Sequence, residues 1–117
     1  MPDTPQLFVW RDEASDTDVV VTYESGYGVA TPSRNERAVV FVLPNGVAMA
    51  AGWRGDNVGP APVDEAAQDW DTLEKMFPGA KVLASTFDAF FAEANRPDVK
   101  TALPVVTADI GDGALVR

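Results

Sequence analysis

Gly52-Trp53-Arg54-Gly55-Asp56-Asn57-Val58-Gly59-Pro60-Ala61-Pro62, residues 52–62, is the stretch whose reading decides the fold. An apolar run, Val47-Ala48-Met49-Ala50-Ala51, enters it, and a strongly amphipathic segment leaves it at Val63, which predicts a strand-to-helix connection of an α/β fold. Three glycines and two prolines let the backbone turn sharply, and Arg54, Asp56 and Asn57 would then stand at the mouth of a sheet, where α/β proteins collect ligand groups. The same residue types are those that any polar turn favours, so a plain loop is the competing reading. The Arg54-Gly55-Asp56 tripeptide is too short a match to indicate an integrin ligand.

Downstream, Val63, Ala66, Ala67, Trp70, Leu73, Met76 and Phe77 recur at three and four residues, one face of an α-helix. Pro62 suits the first helical position, Asp64 and Glu65 complement the helix dipole, and Pro78-Gly79 ends the helix. Trp70 on that face reads as a core residue; Trp53 reads as core or rim. Ala80-Lys81-Val82-Leu83-Ala84 reads as a short buried strand. Ser85 then caps a second helix, with Asp88 three residues on and Phe87, Phe90, Phe91 and Ala94 facing inward. Arg96–Ala102 reads as a linker, and Leu103-Pro104-Val105-Val106-Thr107 as a last strand.

Upstream, Leu7-Phe8-Val9-Trp10-Arg11 and Asp18-Val19-Val20-Val21-Thr22-Tyr23 flank a turn-forming stretch, which predicts a β-hairpin, with 19–21 apolar enough for burial on both faces. Ala38-Val39-Val40-Phe41-Val42-Leu43 is a strong strand signal. Pro44-Asn45-Gly46 then favours a second hairpin, because Asn and Gly both tolerate positive φ; one strand followed by a loop is the alternative, Ala48, Ala50 and Ala51 being poor strand formers. The whole reads as an α/β domain over residues 7–117 behind a disordered tail, residues 1–6. Its expected order is an N-terminal β-hairpin followed by β-α-β-α-β with a mainly parallel sheet. In such a sheet the loops at 52–62, 85–86 and 109–112 would share the carboxyl edge.

The chain has 117 residues, enough for one modest core. Its net charge of −9 argues against nucleic acid and anionic membrane surfaces as partners. No apolar run approaches membrane-spanning length and no secretory signal is visible, so a cytoplasmic location is expected. There is no cysteine and no histidine, which excludes thiol and imidazole catalysis and leaves Asp and Glu to carry any chemistry.

Four blocks then resemble an uncharacterised branch of α-mannosidase-like proteins related to glycoside hydrolase family 38. They are Trp53-Arg54-Gly55-Asp56-Asn57-Val58-Gly59-Pro60, Phe77-Pro78-Gly79-Ala80-Lys81-Val82, Ala84-Ser85-Thr86-Phe87-Asp88-Ala89-Phe90 and Leu103-Pro104-Val105-Val106-Thr107-Ala108-Asp109-Ile110-Gly111-Asp112, in the family's order. Leu7-Phe8-Val9-Trp10-Arg11, with Tyr23 and Tyr27-Gly28, resembles the segment before them. The resemblance covers nearly the whole chain and implies an internal piece of a longer (β/α) barrel-like catalytic domain.

It implies that Asp109 matches the general acid/base, that Asp56 lies in a sugar-binding loop and that Arg11 lines the site. Asn57 beside Asp56, and Asp112 on the loop of Asp109, complete the candidate substrate-binding set. Retaining glycosidases need two carboxyl groups about 5 Å apart, and Asp109, Asp112 and Asp56 are carboxylates able to cluster; the plain alternative is that Asp112-Gly113 is a turn pair. The family's zinc site and nucleophile lie upstream of this segment, so no cofactor is expected in the chain itself. After Ile110-Gly111-Asp112 the family continues with Thr-Trp, whereas this chain has Gly113-Ala114-Leu115. The expected partners are a carbohydrate and either the remainder of a longer enzyme or a second copy, since a partial barrel leaves strand edges open. The alternative is a free-standing acidic binding or protein-interaction module without enzymatic activity.

Overall fold

The computed structural model describes residues 5–23, 31–32, 39–52 and 57–108. Strand β1, Leu7–Asp12, pairs antiparallel with β2, Thr17–Thr22, in a register that sets Val9 opposite Val20 and Arg11 opposite Asp18. The turn between them holds Asp16 at φ 54°, a left-handed conformation that the short polar Asp side chain tolerates. Ser15 Oγ donates to Asp12 Oδ2 at 2.6 Å and so fastens the turn to the end of β1.

The third strand of this sheet is β5, Val105–Val106, which runs parallel to β1 with Val9 opposite Val105 and Trp10 opposite Val106. The Val9 N–H donates to the Pro104 carbonyl at 2.8 Å. The sheet order is β2-β1-β5, a small mixed sheet with β1 in the centre. Central position explains the burial: Phe8 and Val9, on opposite faces of β1, are 0% and 1% exposed. The double-sided burial expected for 19–21 is thus found one strand over. Val19 on the outer strand is exposed, and Val20 and Val21 are half-buried.

Strands β3, Val40–Val42, and β4, Ala48–Ala50, form a separate two-stranded ribbon. Leu43 and Val47 close it through an N–H···O bond of 2.8 Å, and Gly46 takes φ +88° at the tip, as the Asn45-Gly46 pair predicts. Among the described residues three helices follow: α1, Val63–Met76; α2, Phe87–Ala94; and α3, Pro97–Lys100.

The expected β-α-β-α-β order is corrected here in two places. Residues 80–84 form no strand, and Leu83 is 65% exposed; without a strand between them, α1 and α2 are not crossover helices of a parallel sheet. The 96–102 linker contains α3, started by Pro97 at its first position and closed by Thr101 N–H donating to the Pro97 carbonyl. Since β4 pairs with β3 and not in the sheet of β5, the loop after β4 and the segment after β5 do not follow strands of one sheet.

The chain groups into two compact units, one of residues 1–26, 41–48 and 87–117, the other of 27–40 and 49–86. The buried apolar residues Phe8, Val9, Phe41, Leu43, Phe90, Ala94, Val99 and Leu103 all belong to the first. Phe90 and Phe91 meet edge to face, centroids 5.5 Å apart.

In the second unit the helical face expected to be apolar and buried is largely open. Val63 is 88% exposed and Trp70 39%, its indole N–H donating to Glu74 Oε1 at 3.0 Å along the helix. Trp70 is therefore not a core residue. The buried residues described there are Thr31, Pro32 and Glu65. Among the described residues no helix is long and apolar enough to cross a membrane.

Candidate functional site

A shallow open groove of about 360 Å³ lies where β1 ends and β2 begins. Trp10, Arg11 and Asp12 of β1 form one side, Asp18 and Val19 of β2 the other, and Thr107, just past β5, closes one end. Trp10 and Arg11 are successive positions of β1, so their side chains leave opposite faces of the strand and border the groove from either side of its end. Trp10 is fixed from the segment past β5: its indole N–H donates to the Ala108 carbonyl at 3.1 Å, and the side chain stays partly exposed.

The electrostatics centre on Asp18. Lys100 of α3 donates from Nζ to Asp18 Oδ1, and Arg11 Nη2 stands 3.4 Å from Asp18 Oδ2. The hydrogen bond from Lys100 comes first in holding the Asp18 carboxyl below its ordinary pKa, against the opposing pull of desolvation, with the charges of Lys100 and Arg11 adding to it. A carboxylate stabilised in its charged form is a poor general acid. Asp18 therefore anchors Arg11, whose side chain, 42% exposed, keeps donors free for a ligand lying in the groove. An indole face beside a guanidinium and carboxylates is suited to a flat, hydroxyl-rich molecule that offers both apolar and polar edges.

Of the residues proposed from sequence, Arg11 lines this groove. Asn57 lies in the second unit, exposed, at φ 57°, a turn conformation that Asn favours. Asp56, Asp109 and Asp112 lie outside the described residues, as does Trp53. Asp18 and Lys100 were missed from sequence. The facing of Asp18 and Arg11 follows from a hairpin register centred on 12–17, but Lys100 is 82 positions from Asp18 and nothing local signals their meeting.

The chain lacks the histidines on which the zinc site of the resembled family relies, and among the described residues no three carboxylates gather as metal ligands. These residues do not fit that site. Comparison with family models, with curated proteins and with solved structures finds no match for the chain.

Proposed function

We propose that the chain is a segment of an α-mannosidase-like glycoside hydrolase catalytic domain, carrying sugar-binding groups and the acid/base Asp109 but without turnover alone. The observation that supports this most is the parallel pairing of β1 with β5: Trp10 and Arg11 stand at the end of one strand, and the other runs on through Ala108 toward Asp109 in the sequence. Parallel strands ending side by side are how barrel-like α/β enzymes assemble a site, and a sheet with β5 on its edge has room for the further strands of a longer domain. The nucleophile and the zinc ligands would come from the rest of that domain. Within the first unit, exposed apolar side chains such as Val19 and Phe87 fit contact with the remainder or with a second copy.

A second reading, an acidic binding module without catalysis, is favoured by the Lys100–Asp18–Arg11 set, which presents a fixed cation and no proton donor. In the first reading, and in the carbohydrate-binding form of the second, the groove binds sugar. Hydrolysis of an aryl α-mannoside, with and without zinc, tests the proposal: the chain alone is expected to show no turnover. Zinc-dependent turnover abolished by Asp109→Asn would mean a complete site and overturn the fragment reading.

A further inference from the structure

The tip of the β3–β4 ribbon carries chemistry that the groove does not use. Asn45 is exposed and is followed by Gly46, whose lack of a side chain leaves its backbone nitrogen open to approach the Asn45 side-chain carbonyl carbon. Asn45 is also held. Its Nδ2 donates to Glu93 Oε1 of α2 at 2.8 Å, its Oδ1 accepts from the Val47 N–H at 3.1 Å, and the Gly46 N–H donates to the Leu43 carbonyl at 2.9 Å.

We propose that Asn45 is a site of spontaneous covalent modification, deamidation and isomerisation through a cyclic imide, and that Glu93 restrains it. The Gly46 nitrogen loses its proton and bonds to Asn45 Cγ; the Cγ–Nδ2 bond breaks and Nδ2 leaves as ammonia with that proton. Water then opens the ring at either carbonyl, giving an aspartate or an isoaspartate at position 45, with no change of oxidation state. All three hydrogen bonds must be released for the ring to close, since attack needs the Gly46 N–H free and the side-chain amide turned.

The product cannot restore what it breaks. The new carboxylate has no proton to donate to Glu93 and faces it as a like charge. Arg96, whose Nη1 donates to the same Oε1 at 2.8 Å and whose Nη2 is 3.3 Å from Asp98, is then shared among three carboxylates. The isoaspartate form also lengthens the backbone by one methylene inside the turn that the Leu43–Gly46 bond closes. The modification thus releases the ribbon tip from α2 irreversibly, within the unit that holds the apolar core.

The test follows the full chain by mass spectrometry of the peptide containing position 45, read as exchange of the side-chain NH₂ for OH. Native buffer is compared with urea, and wild type with Glu93→Ala. Conversion is expected to be slow in the native chain and about two- to tenfold faster in Glu93→Ala, the span set by losing one such hydrogen bond, and faster again in urea. No conversion at Asn45 in urea would overturn the site, and equal native rates in wild type and Glu93→Ala would overturn the restraint. Independently, Asn45→Asp should lower the urea midpoint, and Glu93→Gln in that background should recover part of the loss by donating from its amide to the new carboxylate. An unchanged midpoint in Asn45→Asp would overturn the tether.

Discussion

Asp18 holds two cations at once, Lys100 from α3 and Arg11 from the facing strand, and through them ties the hairpin to the short helix. Its folded pKa lies below the ordinary 3.8, so the ion pairs stabilise fully above that value and are lost as pH falls through the depressed one. Asp18→Asn removes that contribution at neutral pH and leaves a flatter acid limb. Denaturant midpoints of the two proteins, measured from neutral pH down through the carboxylate range, should therefore converge in acid; parallel curves would contradict the account. Arg11 was singled out only through the resemblance, as part of a Trp-Arg pair, and the structure sets it on the groove at the end of β1. Asp18 was legible only through the register, and Lys100 not at all, because long-range pairing of a surface lysine leaves no periodic trace.

At the scale of elements, α2 and α1 separate what periodicity can tell from what it cannot. The inward face expected for α2 holds for Phe90 and Ala94, 5% and 0% exposed, while Phe87 at its start is 63% exposed. Phe90→Ala should cost about 3–5 kcal/mol of unfolding free energy and Phe87→Ala a small fraction of that, measured by chemical denaturation. Equal costs would mean that the core of the first unit is drawn wrongly. The spacing in α1 is equally regular, and the helix forms over the expected residues, yet its apolar stripe stays open, because periodicity reports a face and not a partner for it. Residues 80–84 read as a strand on composition alone. A strand also needs a neighbour to satisfy its backbone, and no described strand pairs with 80–84. The Asn45-Gly46 hairpin succeeded because turn chemistry is local.

Across the whole molecule, stability is unevenly shared. Among the described residues the large buried apolar side chains gather in the first unit, and the second holds Thr31, Pro32 and Glu65 as its buried residues. Amide hydrogen exchange should therefore show strongest protection along β1 and α2 and exchange in α1 at lower opening free energy. Matching protection in both would contradict that division. The net charge of −9 adds self-repulsion, against which the groove sets Arg11, with Lys100 pairing Asp18 from α3. A sugar, uncharged, meets no such barrier. The most direct measurement is the indole N–H signal of Trp10, assigned through Trp10→Phe and followed by NMR while methyl α-mannoside is added. The account predicts a saturable shift of the Trp10 signal, with Trp70 unmoved and the response lost in Arg11→Ala. A Trp10 signal that stays fixed well above millimolar sugar, or that moves together with Trp70, would contradict it.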